Sequence, residues 1–381
     1  MPLFEPGPDA AKPPANATLV YAGTYTDTKS KSKGIYLYWL QTENLEVSQN
    51  ITLAPLGLAA QSVNPSFLVL DAKRRLLFAV NETDEFQGKP GGAVSAFSIA
   101  PGSGMLTLIN QQPSMGAGPC HLALDSSGKN LLVANYNSGS AAVLPVASDG
   151  RLSAASCVIQ HTGKSVNAQR QAGPHAHCAA LDPANKFVFV CDLGVDKVFS
   201  YRFDAGQGKL TANDPPFAAI KPGSGPRHLA FRPDGRFAYV INELSSTITV
   251  FTYDPQAGKL TEVQTVSTLP GYYDGPNTAA EVAVHPSGKF LYASNRGNNT
   301  VVLFEVDPEK GTLNWVEEQG TGGSTPRHFG VQPSAKHLAI ANQDSDTLLA
   351  CRIDPGNGRL KPSGVFASAP SPTCVQFLPP A

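Results

Sequence analysis

Several side chains in this sequence could do chemistry together: a His-x-His pair (His175, His177), an arginine with a histidine beside it (Arg227-His228), a glutamate sixteen residues on (Glu243), and Arg296 further along. A neutral imidazole titrates near physiological pH and can take a proton from water. A guanidinium cannot serve as a base, but its planar fork grips carboxylate or phosphate and stabilises an oxyanion. A glutamate between two arginines is held as carboxylate, so it orients an arginine or a water, or acts as base, and is a poor general acid. Base, oxyanion-binding cation and carboxylate are what addition of water to an ester-type carbonyl requires.

Residues this far apart in the chain meet only if a repeating scaffold brings them together, and the sequence carries such a repeat. A Pro-marked turn precedes a short apolar strand, then a tight turn such as "PDG" or "PSG", then a second strand ending in Asn or an acidic residue. An alternating third strand, a Gly-bearing turn, "KL" or "RL" and a fourth strand complete the unit. The marker prolines are Pro65, Pro119, Pro174, Pro226, Pro276, Pro326 and Pro372, separated by 54, 55, 52, 50, 50 and 46 residues. Four strands recurring at this period predict an all-β fold, a seven-bladed β-propeller with four antiparallel strands per blade. After Pro372 one strand remains, "TCVQFL", while the chain begins with three strands, "TLVYAGTY", "GIYLYWLQ" and "LEVSQNITL". The C-terminal strand is therefore expected to complete the N-terminal blade and close the ring. Residues 1–17, rich in Pro and Ala, are expected to form a flexible N-terminal segment, and 18–381 a single propeller domain.

In such a blade the first strand lines the central channel and the second runs antiparallel beside it, so the start of one and the end of the other share a mouth. Strand-one starts supply Cys120-His121, His175 with His177, Arg227-His228, Glu281 and Arg327-His328. Strand-two ends supply Glu82, Asn135, Asp192, Glu243, Arg296 and Asn342. Convergent titratable groups in a concave site are the default functional hypothesis. His177, Arg227, Glu243 and Arg296 break the repeat and are read as catalytic. His175, Arg327, Asn135, Asp192 and Asn342 are read as substrate-binding. His121, His228 and His328 recur at one repeat position and are read as blade-to-blade packing. The long connections 82–92, 161–177 and 267–280 are candidate ligand loops, with Lys164, Arg170 and Lys221 as further cations.

Composition narrows the alternatives. A net charge of −1 gives no footprint for nucleic acid or an anionic membrane surface, and no apolar run reaches membrane-spanning length. The six cysteines form no CxxC and are read as small core residues. "HTGKS" lacks the upstream Gly and the helix of a phosphate loop, and "GAGPCH" has no Rossmann context. The His-x-His pair has no third ligand in a recognisable motif, so no metal and no cofactor are expected.

The opening "YAGTYT", the segment "GPHAHCAALDPANKFVFVCDLGVDKV", "GPRHLAFRPDGRFAYVINE" and "LYASNRGNNTV" resemble the seven-bladed propeller lactonases, which include the propeller type of 6-phosphogluconolactonase and the fungal carboxy-muconate cyclase. The resemblance covers Leu19 to Leu378. It implies that His177, Arg227, Glu243 and Arg296 stand at the family's catalytic positions and that no metal is required. Cys178 departs from the small polar residue usual after the second His. The implied reaction is hydrolysis of a small anionic sugar lactone, as in the pentose phosphate pathway. A lactonizing cycloisomerase and a non-catalytic binding propeller are the alternatives. A monomer or weak homodimer is expected, in the cytoplasm, or in the periplasm or outside the cell if a signal peptide has been removed.

Overall fold

The computed structural model describes residues 13–14, 16–27, 29–42 and 51–380. Seven four-stranded antiparallel sheets form successive blades. Blade 1 holds Thr18–Thr24, and the inner strands of blades 2 to 7 are Leu68–Asp71, Pro119–Leu124, Ala176–Leu181, Pro226–Phe231, Thr278–Val284 and Pro326–Val331. In blade 5 the strands Pro226–Phe231, Phe237–Asn242, Thr247–Asp254 and Lys259–Ser267 pair in chain order. The second is buried throughout, because neighbouring blades cover both its faces. The fourth is largely exposed at the rim. The "PDG" turn between the first two strands needs a left-handed residue, and Gly235 supplies it at φ 70°. In blade 7 that position is Ala335, at φ 62°.

The ring closes as the strand count requires. Pro372–Leu378 pairs with Thr18–Thr24, from Leu19 opposite Leu378 to Thr24 opposite Pro372. The last strand of the chain is thus the innermost strand of blade 1. The third strand differs from the expectation of 45–53: it spans Ile51–Gln61, and residues 45–50 lie outside the described residues, as does most of the 1–17 segment. Seven apolar clusters each straddle one junction between adjacent blades, including the closing one, where Val20, Tyr38 and Val375 of blade 1 pack on Ala339, Leu348 and Ala350 of blade 7. Buried tyrosines fasten the junctions further. Tyr21, Tyr239 and Tyr292 each donate a hydrogen bond to a glycine carbonyl of the next blade, Gly104, Gly311 and Gly358, at 2.7–3.0 Å.

One irregularity recurs where the inner two strands begin their pairing. In blade 5 Pro226 faces Asn242 and His228 faces Ile241, so Arg227 is the extra residue of a β-bulge. The same bulge holds Cys120, His177 and Arg327 in blades 3, 4 and 7, and a wider one holds Ala280 and Glu281 in blade 6. A bulge re-aims the inserted side chain, and here it gathers residues of different blades at one end of the channel. The residues just after the bulges pack against one another one level deeper. Phe67 lies 4.3 Å from His121, 5.9 Å from His228 and 5.5 Å from His328, ring centroid to ring centroid.

Candidate active site

The bulge residues and the ends of the second strands enclose a cavity of about 270 Å³. Glu82, Cys120, Tyr136, Arg170, His177, Glu243, Thr278, Arg296 and Arg327 line it, and Arg227 lies directly behind. Small-molecule sites usually span about 300–1,000 Å³, so this one suits a compact ligand.

Glu243 is the hub. Its Oε1 is 2.6 Å from Arg170 Nη2, and its Oε2 is 2.8 Å from Arg296 Nη2 and 3.2 Å from Arg227 Nε. Burial opposes ionisation of Glu243, but Arg296, Arg227 and Arg170 together outweigh it and hold the carboxyl down to about 2. Arg227 is pulled the other way. Burial, with Arg296 and Arg327 close by, brings it down to about 10 despite Glu243 and Glu281. It therefore remains a cation at neutral pH, but a poorly compensated one. Arg296 Nε is buried without a hydrogen-bond partner, a cost of roughly 1–3 kcal/mol, while Arg227 Nε meets Glu243 Oε2 at ion-pair distance but outside hydrogen-bond geometry. Arg227 Nη1 donates to Ala280 O at 2.6 Å, and Arg296 Nη2 to Ala279 O at 3.2 Å, so blade 6 backbone fixes both.

A second group occupies the opposite wall. Arg327 Nη2 donates to Tyr25 Oη at 2.9 Å, and the Tyr25 hydroxyl donates to Glu82 Oε1 and Oε2, both at 3.0 Å. Ser66 Oγ also donates to Glu82. His177 sits between the groups with Nδ1 3.8 Å from Cys120 Sγ. Burial, then the neighbouring Arg227, push its pKa well below the ordinary 6.5, so its imidazole is neutral at physiological pH. Three lining guanidiniums thus face two lining carboxylates, and Arg227 behind them is shared between Glu243 and Glu281, which leaves the cavity with an excess of positive charge. Among the described residues no group of three or more His, Cys, Asp or Glu is arranged to hold a metal ion.

The structure brings His177, Arg227, Glu243, Arg296 and Arg327 together, but not the remaining residues read as substrate-binding. His175 stacks on Tyr136 at 4.5 Å, with its Nδ1 3.0 Å from Tyr136 O, and it does not line the cavity. Asn135, Asp192 and Asn342 are fully buried and occupied elsewhere. Asn135 donates to Ser114 O, Asn342 donates to Thr321 O, and Asp192 accepts from the His175 and Gly194 amides and contacts His161 Nδ1 at 2.6 Å. The reason is register. These three align with Asn242 and Asn295, one residue before Glu243 and Arg296, and a one-residue offset turns a strand side chain to the other face.

The blade 3 residue equivalent to Glu243 is Tyr136, which sequence reasoning missed; its hydroxyl accepts from Arg170 Nη2 at 3.1 Å. The Asn or Asp that recurs at the strand end (Asn135, Asp192, Asn242, Asn295, Asn342) could have found it, since Tyr136 follows Asn135 as Glu243 follows Asn242. Arg170, placed only loosely on its loop by the sequence, reaches the hub, whereas Lys164 and Lys221 are exposed and outside the cavity. His121, His228 and His328 do bridge blades: His121 Nδ1 accepts from Ala179 N, His328 Nδ1 from Val375 N, and His228 contacts Glu281.

A ring of seven blades with an arginine-rich, histidine-bearing mouth defines a propeller enzyme of the lactonase class, and the family model "Lactonase, 7-bladed beta-propeller" matches residues 19–377. The chain belongs to that family. It is 36% identical over 358 residues to the 6-phosphogluconolactonase of Bacillus subtilis, covering 94% of this chain and 97% of the relative. It is 31% identical to the 6-phosphogluconolactonase of Formosa agariphila, covering 81% of this chain and 85% of the relative. The structure of the periplasmic gluconolactonase of Pseudomonas aeruginosa superposes with a TM-score of 0.85 at 35% identity, over 95% of this chain and 99% of that one.

Proposed function

We propose that the cavity hydrolyses an anionic sugar lactone of the 6-phosphogluconolactone kind. The observation that carries this reading is the charge of the cavity: among the described residues Arg170, Arg296 and Arg327 line it against the carboxylates Glu82 and Glu243, and Arg227 behind it shares Glu243 and Glu281. Arg327 and Arg170 are assigned to the anionic end of the substrate, and Glu82 and Tyr136 Oη to its hydroxyl groups.

In the proposed step His177, neutral at working pH, accepts a proton from water as the water oxygen bonds to the lactone carbonyl carbon. The carbonyl oxygen takes up the electron pair and is held by Arg296, with the Arg227 guanidinium completing the oxyanion site from directly behind the lining. The tetrahedral intermediate collapses with cleavage of the ring C–O bond, and the imidazolium returns its proton to the departing ring oxygen. The product acid ionises, so one proton is released per turnover. Glu243 stays a carboxylate and fixes the spacing of three guanidiniums. The chemistry runs through side chains alone, so activity is expected to survive exhaustive chelation.

The test follows proton release with 6-phosphoglucono-δ-lactone and glucono-δ-lactone as substrates. Arg227→Ala is expected to lower kcat by about 10²–10³, the usual cost of removing an oxyanion donor. A rate equal to spontaneous hydrolysis for both lactones in the wild type would sink the hydrolase reading. A full rate on the neutral lactone alone would shift the substrate to an uncharged aldonolactone.

A further inference from the structure

Directly beneath the cavity, Arg227 Nη1 lies 3.2 Å from His228 Nε2 and 3.5 Å from His228 Nδ1. His228 Nδ1 is 3.0 Å from Glu281 Oε2. The same carboxylate oxygen is 3.5 Å from His328 Nε2, and Glu281 Oε1 accepts the Val282 amide at 3.1 Å. The Val375 amide donates to His328 Nδ1 at 3.3 Å. His328 must therefore carry its proton on Nε2, directed at Glu281. With no donor hydrogen of its own, a carboxylate in this position accepts from both imidazoles, which places the His228 proton on Nδ1. Arg227 Nη1, nearly equidistant from the two ring nitrogens, lies over the face of the His228 ring and not on a nitrogen lone pair.

We infer that Glu281 and His228 form a positioning relay for Arg227: Glu281 anchors the His228 ring through its Nδ1–H, and the face of that neutral ring holds the guanidinium in register with Glu243 and the cavity. Neither residue lines the cavity itself, so neither is catalytic. Burial and Arg227 both keep His228 neutral, which the relay requires. The ring is also immobilised by packing, with centroids 5.1 Å from both His121 and His177. Glu281 supplies a second counter-charge to a buried arginine that shares Glu243 with two others.

The inference rests on the hydrolase reading only through Arg227, and two measurements separate the failures. The first is independent of activity. In protein labelled with ¹⁵N-histidine, long-range ¹H–¹⁵N spectra are expected to show His228 as the Nδ1–H tautomer from pH 6 to 8, and Glu281→Gln is expected to disturb that state. A His228 found as Nε2–H or as imidazolium in the wild type overturns the relay.

The second uses proton release with 6-phosphoglucono-δ-lactone. Glu281→Gln is expected to lower kcat about tenfold with KM within about twofold, and in an Arg227→Lys background the same change is expected to cost less than twofold, since interacting residues are not additive. His228→Phe, which keeps a ring face against the guanidinium, is expected to retain more activity than His228→Leu at equal melting temperature. Equal losses from Glu281→Gln in both backgrounds, or none in either while Arg227→Lys is impaired, overturn the relay alone. Full activity in Arg227→Lys overturns the catalytic reading of Arg227 together with it.

Discussion

Replacing Glu243 by glutamine removes one negative charge from the centre of three guanidiniums without changing side-chain size. The carboxyl moves from an ordinary 4.5 to about 2 in the folded protein. At ~1.36 kcal/mol per pH unit this corresponds to about 3 kcal/mol of stability supplied by the ionised form. A lowered carboxyl pKa contributes stability that is complete above its unfolded value and fades as pH falls through the folded one. The gap between wild type and Glu243→Gln should therefore be full above pH ~5 and close toward pH ~2. With an unfolding entropy of about 2.1 cal/mol/K per residue, ~3 kcal/mol in a chain of this length lowers Tm by about 4 °C. Differential scanning calorimetry at pH 7, 4.5 and 3 reads this directly. Inorganic phosphate should restore part of the loss at pH 7, because an anion that binds only the folded site stabilises it. An unchanged Tm at pH 7, or an equal deficit at pH 3 and pH 7, would refute the view that Glu243 is the counter-charge of the cluster.

Three further outcomes are expected. Burial and Arg227 keep His177 neutral, so the acid limb of the kcat/KM profile should fall well below the ordinary imidazole value of 6.5; a limb at 6.5 or above would argue against His177 as the base. Arg327→Ala should raise KM for 6-phosphoglucono-δ-lactone at least tenfold more than for glucono-δ-lactone, and equal effects on both would remove Arg327 from the substrate's anionic end. Ala335→Gly relieves a left-handed alanine at φ 62° and should stabilise by about 0.5–1 kcal/mol, read as a higher urea midpoint.

The ring was legible because each blade repeats the same local signals. Proline before the inner strand, glycine or a tolerant residue at the left-handed turn, and alternating apolar residues all recur at one period, and the strand surplus at one end matches the deficit at the other. Arg227 and Glu243 could be paired because antiparallel strands joined by "PDG" must bring their far ends together. What the sequence did not carry was the bulge. It leaves no residue signature, yet it decides which first-strand side chain enters the cavity. The second strands pose a separate problem of register: Asn135, Asp192 and Asn342 align with Asn242, one residue before Glu243, so the cavity-facing position in blade 3 is Tyr136. Arg170 was ambiguous for a different reason: its loop is held by non-local bonds, such as Gln171 Nε2 to Leu193 O at 2.9 Å. His228 was read as packing from its recurrence, and it does pack, but its contact with Arg227 depends on Glu281 occupying the histidine position of the next blade.

The pairing of Pro372–Leu378 with Thr18–Thr24 also sets a schedule for biosynthesis. At about 5–20 residues per second, the ribosome needs roughly 20–70 s to travel from one partner to the other. For that interval the inner edge of Thr18–Thr24 is an open β-edge with nothing to pair with, a state prone to joining other chains. The first strands made are thus the last to be sheltered, and a nascent chain gains its closed form only when translation has passed the seventh blade.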